Sequence, residues 1–282
     1  MPCYNNGRFI EAALDAVFAQ DYQPIEVIVV NDGSTDDSLA TLQALQARLP
    51  FKLLSQPNAG VSAALNLGLA HASGEYVVTP DSDDEMLPGA LTARAAYMDA
   101  HPDVGIVGGL AVFTNAEGQP YKQERHTAVR HFSFETLLGR ALAVGTPVAM
   151  YRMSALKAVG FYDPAIRIQD FQITLRLAHA GYGVVCLPVL VSTYRRHPGS
   201  LSRRYREQLK HDLAAIAPYQ AHPRYTAART VVYNKALKHA VQLDRRESWG
   251  LFREVPLWQW NRMTWRRFKR WVFRAPRVGK AG

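Results

Sequence analysis

The stretch that decides the fold is residues 25–36, which read IEVIVVNDGSTD. Its first half is almost entirely apolar and β-branched, which is typical of a strand buried on both faces of a parallel sheet. Its second half consists of turn-forming residues, and we expect them to lead into a helix over 37–48 that is capped by Ser34 or Thr35. A helical spacing of apolar residues precedes the stretch at 7–20. This alternation of helix and strand predicts an α/β fold.

The alternation continues along the chain. Further strands are predicted at 53–54, 76–79, 104–113 and 183–193, helices at 61–72, 88–100, 133–142, 153–158 and 170–180, a polar loop at 115–127, and helical structure from about 203 onward. Open α/β sheets bind their ligands beyond the carboxyl ends of the strands. Acidic residues that directly follow a strand are therefore the first candidates for a functional site, and Asp32 and the cluster at 81–84 both do so.

The acidic cluster consists of Asp81, Asp83 and Asp84, three carboxylates within four residues. Such groups repel one another, and a divalent cation would relieve the repulsion, since Mg²⁺ and Mn²⁺ take one or two carboxylates together with substrate phosphates. The alternative is a solvated acidic turn in which Asp84 caps the helix at 88–100. The residues alone leave both interpretations open.

Two other carboxylates are candidates. Asp32 could accept a hydrogen bond from a nucleobase or a ribose hydroxyl, with Gly33 allowing a tight turn, or it could satisfy only its own turn. Asp170 stands at the start of a predicted helix and could serve simply as its N-cap. A carboxylate there could equally take a proton from an attacking hydroxyl group.

A further candidate is the loop at 194–202, which reads YRRHPGSLS. The imidazole of His197 could bind a metal of the Mn²⁺ type, and the adjacent arginines, Arg195 among them, suit a diphosphate. A lone histidine in a loop is more often simply solvated, so this interpretation depends on the neighbouring groups.

Taken in order, these segments resemble the family 2 glycosyltransferases, which have the GT-A fold, a Rossmann-like mixed central sheet flanked by helices. The similarity runs from Pro2 to about Ser202. It consists of Pro2-Cys3-Tyr4-Asn5, Asp32 to Asp36, Asn58-Ala59-Gly60 with Asn66, Gly74-Glu75-Tyr76, Asp81-Ser82-Asp83, Gly160 to Asp163 with Gln169-Asp170, and Tyr194-Arg195-Arg196-His197. Leu65 departs from the pattern where an arginine is common, and Gln169 where a glutamate is common.

The resemblance implies a role for each matching residue. Asp32 would bind the base of a nucleotide-sugar donor, in a pocket lined by Pro2, Tyr4, Asn58 and Gly60. Asp81 would face the ribose and the metal-bound diphosphate and would hold a Mn²⁺ or Mg²⁺ ion together with Asp83. His197 would be a further contact to the metal or the diphosphate, and Arg195 would help to stabilise the diphosphate. Asp170 would be the general base of a single, inverting displacement.

The resemblance also implies a wider function. The donor would be UDP-linked, the acceptor a glycan or a lipid-linked glycan, and the process cell-surface polysaccharide biosynthesis. We expect a catalytic domain over 1–202, with a nucleotide half at about 1–100 and an acceptor half at about 101–202, and a basic helical extension over 203–282. The alternatives are a catalytically silent, membrane-associated partner with the same fold and a sugar nucleotidyltransferase. The latter should show a Gly-rich phosphate loop, and none is visible.

The positive charge is concentrated at the end of the chain. Residues 257–282 hold eight of the 33 basic residues and no acid, which leaves 25 basic against 24 acidic residues elsewhere. Around 257–274 the spacing predicts a helix with Trp258, Trp265, Phe268 and Val272 on one face and the basic residues opposite. Such a helix suits an anionic membrane surface, and the alternative is a helix packed on the protein. Since the rest of the chain has no basic patch, nucleic acid is not expected as a partner.

Three other observations concern the setting of the protein. Cys3 and Cys186 are the only cysteines and have no metal-ligand spacing, which fits a reducing compartment. No apolar stretch is long enough to span a membrane, and no signal peptide is visible. We therefore expect a cytoplasmic protein, peripheral on the inner face of the cell membrane. Residues 1–6 read as the turn that follows a strand, so either the fold lacks that strand or, as we favour, the chain as given begins late.

Overall fold

A computed structural model describes residues 1–142, 144–196 and 205–273. The chain divides into two compact units, Met1–Ser133 with Ala143–His197 and Phe134–Leu142 with Pro198–Gly282. The first unit contains the sheets and the second is helical. The boundaries predicted at residues 100 and 202 stay predictions, and the segment Phe134–Leu142 belongs to the helical unit.

The first unit begins with three parallel strands connected by helices. In chain order these are β1 (Pro2–Cys3), α1 (Gly7–Phe18), β2 (Ile28–Asp32), α2 (Ser38–Leu45), β3 (Lys52–Gln56) and α3 (Val61–Leu69). The strand order is β1-β2-β3, and Val30 lies opposite Pro2 on one side and Leu54 on the other. All five residues of β2 are buried, as its run of apolar residues predicts for a central parallel strand.

The second sheet of this unit is mixed. Its elements are β4 (Tyr76–Val78), α4 (Ala90–Ala100), β5 (Val104–Thr114), β6 (Pro120–Gln123), β7 (Arg130–Phe132), β8 (Met150–Arg152), α6 (Met153–Ala158), α7 (Gln169–His179) and β9 (Gly183–Arg195). The strand order is β4-β8-β5-β9-β7, with β6 paired to β5. The long strands β5 and β9 run parallel, and the other pairs are antiparallel.

Four short strands depart from the sequence prediction. β6 lies inside the predicted polar loop, and all four of its residues are exposed, so it carries no apolar signal. β7 and β8 have three residues each, which is too short for a periodic pattern. β1 occupies Pro2–Cys3, where a turn was predicted, and it pairs with Val30 and Asn31.

Two predicted helix caps are wrong. Helix α4 begins after Gly89, which adopts a left-handed conformation with φ of 72°, so Asp84 does not cap it. Helix α2 begins after Asp37. Ser34 and Thr35 instead bind Asn5, because the Ser34 Oγ accepts the Asn5 N–H at 3.1 Å and the Thr35 N–H donates to Asn5 Oδ1 at 2.8 Å.

A cavity of about 390 Å³ lies between the two sheets. Its walls include Ile28 and Val30 of β2, Ala64 of α3, and Val77 of β4. Among the described strands, β4 is at one end of its sheet and pairs only with β8. The two sheets are therefore connected in this region by side chains and loops and not by a continuous ladder.

The helical unit is built around one long helix. It contains α5 (Phe134–Arg140), α8 (Tyr205–Ile216), α9 (Tyr225–Leu243), α10 (Arg245–Arg253) and α11 (Arg262–Phe273). Phe252 of α10 packs against Phe268 and Trp271 of α11, with ring centroids 5.4 and 6.1 Å apart. Within the described part of the chain, no helix has the length and hydropathy needed to cross a lipid bilayer.

Candidate active site

The candidate site lies at the carboxyl ends of β2 and β4, where the sequence predicts it. Asp32 is the last residue of β2, and Asp81 follows β4 closely. Asp81, Asp83, Asp84 and Asp170 form a group that we call the carboxylate cluster. Burial raises the pKa of Asp81 well above its usual range, and the charges of Asp83 and Asp170 raise it further. Asp170 therefore lies close to the acidic turn, although it is far away in sequence.

Asp84 is a member of the cluster that is held by β9. Its side chain is buried, and Oδ1 accepts the backbone N–H of Arg195 at 2.5 Å. Burial raises its pKa to about 9, with further contributions from Asp81 and Asp83. A cation bound beside these carboxylates would favour their charged forms and oppose the effect of burial on their pKa.

Arg195 holds the acidic turn against β9. Its Nε donates to the Asp83 carbonyl at 2.9 Å, Nη2 to Glu85 Oε1 at 2.7 Å, and Nη1 to the Ala116 carbonyl at 3.2 Å. Its guanidinium also lies over the Phe9 ring, 4.9 Å from the centroid. Three of its five N–H groups are thereby used. Contact between Arg195 and a diphosphate stays a prediction. Such a contact would have to use the two remaining N–H groups.

Asp32 organises the loop that follows β3. Its Oδ1 accepts the N–H of Ala59 at 2.9 Å and the Gln56 amide at 2.7 Å. Its Oδ2 accepts the N–H of Gly60 at 2.9 Å and the Asn58 amide at 3.3 Å. A carboxylate offers about four acceptor positions, so this one is satisfied by the loop. The alternative in which Asp32 serves only its own turn is therefore wrong.

The neighbouring glycine permits this arrangement. Gly33 has φ of 68°, and a Cβ there would lie 2.5 Å from the backbone nitrogen of Asn58. Only glycine combines this backbone conformation with so close an approach. Pro2 lies in β1, and the Tyr4 side chain is exposed near this edge. Their contribution to a nucleotide pocket, like that of Asn58 and Gly60, stays a prediction.

We expect Asp32→Asn to destabilise the protein by about 1–3 kcal/mol, because one carboxylate oxygen becomes an amide donor facing the N–H of Ala59 or Gly60. Urea denaturation monitored by circular dichroism measures the effect. The matched control is Asp37→Asn, since Asp37 is exposed and its side chain makes no cap hydrogen bond to a described residue. An Asp32→Asn variant as stable as the control would contradict this role.

Asp170 lies in the first turn of α7. The N-cap is Ile168, so the alternative in which Asp170 caps the helix is wrong. Its Oδ1 accepts the N–H of Phe171 at 2.7 Å. The start of a helix is a favourable position for an acidic side chain. Its charge also contributes to raising the pKa of Tyr194 to about 12, after burial and the charges of Asp81 and Asp84.

The sequence did not reveal a group of buried hydroxyls beside these carboxylates. Thr79, Tyr151 and Tyr162 are buried, and their hydroxyl groups lie near enough to affect one another's pKa although none meets full hydrogen-bond geometry with a described residue. Burial raises the pKa of both tyrosines, and the charge of Asp170 contributes. Tyr162 belongs to the quoted Gly160–Asp163 segment, but Tyr151 lies on the short β8, where no pattern marks it.

The fit of a divalent metal can be judged from the cluster itself. Within the described ranges, no three His, Cys, Asp or Glu side chains form a group that could hold a metal ion alone. A Mg²⁺ or Mn²⁺ ion that also binds substrate phosphates needs only one or two carboxylates. Asp81 and Asp83 would provide these, and a cation there would offset the repulsion among the carboxylates of Asp81, Asp83 and Asp170, which together with burial raises the pKa of Asp81. His197 lies outside the described residues.

Comparison with known proteins identifies the family. The sequence model of glycosyl transferase family 2 matches residues 1–161, more than half of the chain. The chain therefore belongs to this family, and the class of enzyme expected from the sequence motifs is confirmed.

Individual relatives agree with this assignment. The chain is 28% identical to glycosyltransferase GlyA of Streptococcus pneumoniae over 228 residues, which cover 76% of this chain and 32% of that protein. It is 26% identical to the poly-beta-1,6-N-acetyl-D-glucosamine synthase of Staphylococcus aureus over 197 residues, which cover 67% of this chain and 47% of that protein. The chain thus spans from a third to a half of the length of these relatives.

Solved structures confirm the fold. A mannosyltransferase from Pyrobaculum calidifontis, in complex with GDP-Man and Mn²⁺, has a TM-score of 0.65 at 19% identity and covers 96% of this chain and 84% of its own. S. aureus TarS 1–349 with UDP-GlcNAc has a TM-score of 0.64 at 19% identity and covers 90% of this chain and 80% of its own. The predicted GT-A architecture with a C-terminal helical extension is therefore confirmed.

Proposed function

We propose that the protein transfers a sugar from a UDP-linked donor to a glycan or lipid-linked acceptor, with inversion and with the help of Mn²⁺ or Mg²⁺. The observation that carries this proposal is the convergence of Asp170 with Asp81 and Asp83 at the carboxyl end of β4. A metal-binding turn and a candidate base then face the same space, as a displacement at an anomeric carbon requires.

The related proteins support a role in cell-surface polysaccharide biosynthesis. One relative is a poly-beta-1,6-N-acetyl-D-glucosamine synthase, and two proteins of similar fold were solved with UDP-GlcNAc or with GDP-Man and Mn²⁺. We extend to this chain the use of a nucleotide-sugar donor and of a divalent ion. A lipid-linked acceptor would place the protein at the cytoplasmic face of the membrane.

In this proposal the first sheet binds the nucleotide. Asp32 fixes the loop at 58–60, and the base would lie against that loop and beside Pro2 and Tyr4. The carboxylate of Asp32 already accepts hydrogen bonds from the loop. A hydrogen bond from the base to this carboxylate would therefore have to replace one of the hydrogen bonds from the loop. Asp81 would face the ribose and the diphosphate.

The reaction itself would be a single displacement. Asp170 takes the proton of the acceptor hydroxyl, the hydroxyl oxygen attacks the anomeric carbon, and the bond from that carbon to the nucleoside diphosphate breaks on the opposite face. The configuration of the sugar is thereby inverted. A divalent ion held by Asp81 and Asp83 would supply charge neutralisation for the departing diphosphate. Partial burial of the carboxylate cluster, in which Asp84 is buried and the other three are half-buried, would limit the access of water and strengthen these interactions.

We expect one nucleotide-sugar to raise the melting temperature of the protein in the presence of Mn²⁺. At a ligand concentration a hundred times the Kd, binding stabilises the folded state by about 2.7 kcal/mol. The measurement is differential scanning fluorimetry with a panel of UDP-, GDP-, dTDP- and CMP-linked sugars, each with Mn²⁺ or with a chelator. Acceptor glycans are then screened with the donor that binds.

The possible outcomes separate the alternatives. Stabilisation by a UDP-sugar that disappears with the chelator supports the proposal. Donor binding without turnover on any acceptor would favour a catalytically silent partner protein. Release of a sugar 1-phosphate and a nucleoside triphosphate when pyrophosphate is added would indicate a nucleotidyltransferase.

A further inference from the structure

The last described helix packs on the helical unit with a face that was not predicted. Thr264 and Arg267 of α11 are buried, and Arg267 Nη1 donates to Asn234 Oδ1 of α9 at 2.6 Å. Phe268 stacks on Trp271 at 5.6 Å between ring centroids, and Trp271 Nε1 donates to the Arg245 carbonyl at 2.9 Å. The predicted membrane-binding face of the helix is therefore only partly available to a membrane, because Phe268 points into the protein.

The opposite side of α11 carries a stripe of cations that ends in an aromatic ring. Arg262, Arg266, Lys269 and Phe273 follow one another at helical spacing, and all four are exposed. We call these four residues the outward stripe. None of its three cations forms an ion pair with a described residue, and residues 257–273 contain no acid. The stripe is thus an uncompensated positive surface.

Large apolar side chains of α11 and of the segment just before it in sequence are exposed. Trp258 is 82% exposed, Leu257 is 74% exposed, and both belong to a short 3₁₀ helix that precedes α11. Phe273 is 81% exposed and Trp265 is 50% exposed. Single apolar residues on a surface are ordinary, but apolar residues that flank a row of cations indicate a binding surface.

The chemistry of these residues favours a lipid surface. Tryptophan prefers the interface between headgroups and acyl chains, and arginine and lysine can reach phosphate groups while their stems lie along apolar surface. An amphipathic surface with these components binds anionic membranes by combining apolar burial with electrostatic attraction. A nucleic acid would be attracted by the cations but would leave Leu257 and Phe273 exposed.

We propose that the outward stripe, together with Leu257 and Trp258, docks the protein on anionic phospholipid bilayers. Trp258 and Phe273 insert among the headgroups, and Arg262, Arg266 and Lys269 contact lipid phosphates. This surface is distinct from the carboxylate cluster and does not depend on the proposed transferase activity. Its presence would keep the enzyme beside a lipid-linked acceptor.

The test is sedimentation of the full chain with vesicles of phosphatidylglycerol and phosphatidylcholine at 0.15 M salt. The combined variant Arg262→Gln, Arg266→Gln, Lys269→Gln should partition about a hundredfold more weakly, since each of the three cations near such a surface contributes about a fivefold factor. The variant Trp258→Ala should weaken binding about tenfold. Circular dichroism melting verifies that each variant is folded.

A matched control removes the same charge elsewhere in the helical unit. Lys238, Arg246 and Arg253 are exposed and lie on α9 and α10, and their replacement by glutamine should leave vesicle binding almost unchanged. Equal loss in both triple variants would overturn the proposal, because net charge alone would then explain binding. Wild-type protein that binds duplex DNA but ignores the vesicles would overturn it as well. Point variants are preferable to deletion, since Phe268 and Trp271 pack against Phe252.

Discussion

Replacement of Asp83 by alanine should reduce Mn²⁺-dependent sugar transfer about a thousandfold or more. The change removes one of the two carboxylates that would hold the ion, and the loss of several kcal/mol of charge stabilisation corresponds to a factor of this size. The fold should survive, because Arg195 binds the backbone carbonyl of Asp83.

Two measurements make this prediction specific. Initial rates with the donor identified in the screen give the loss of turnover, and thermal melting gives the stability. The control Asp37→Ala removes an exposed carboxylate of the same unit and should retain full activity. Turnover of the Asp83→Ala variant at the level of the control would exclude Asp83 as a metal ligand.

Replacement of Asp170 by asparagine should lower the rate of transfer by about 10²–10⁴, the usual contribution of a general base. The asparagine keeps an oxygen that can accept the Phe171 N–H, so the start of α7 should be preserved. Donor binding should persist, since Asp170 is expected to face the acceptor. A loss in kcat without a loss of Mn²⁺-dependent thermal stabilisation by the donor would show this separation.

The matched control for this variant is Asp163→Asn. Asp163 is exposed and its Oδ1 accepts the Ala165 N–H at 2.8 Å, a contact that asparagine can also make. If Asp170→Asn and Asp163→Asn have the same kcat, Asp170 is not the base. If Asp170→Asn loses donor binding together with turnover, its role lies in the donor site.

The sequence predicted the fold wherever an element had its own periodic or β-branched pattern. The buried strand β2 and the amphipathic helix α1 are examples, since a single face or run of residues determines each. β7 and β8 could not be predicted, because three residues carry no period and their pairing depends on distant strands. The orientation of α11 could not be predicted either. Arg267 is polar and would be expected at the surface, but its side chain faces the protein and donates a buried hydrogen bond to Asn234.

The acidic residues of the candidate site could be predicted from the sequence, but the residues that contact them could not. Asp81 and Asp83 directly follow a strand, so their position at the edge of a sheet can be read from the sequence. The hydrogen bonds from Arg195 to Asp83 and Glu85 connect segments more than a hundred residues apart. Such contacts depend on the register of β9, which local patterns do not determine.

If the proposed donor binds to both sheets, the cavity between them would give it a thermodynamic role beyond that of a substrate. Asp32 is on the first sheet and Asp81 follows β4 on the second, and the Asn6 side-chain amide donates a 2.8 Å hydrogen bond to the Ser82 hydroxyl, which connects the two segments. A nucleotide-sugar held at its base by one sheet and at its diphosphate by the other would couple their local opening equilibria. Part of the binding free energy of the nucleotide-sugar would then make the two sheets open and close together, although their described strands share no backbone hydrogen bonds.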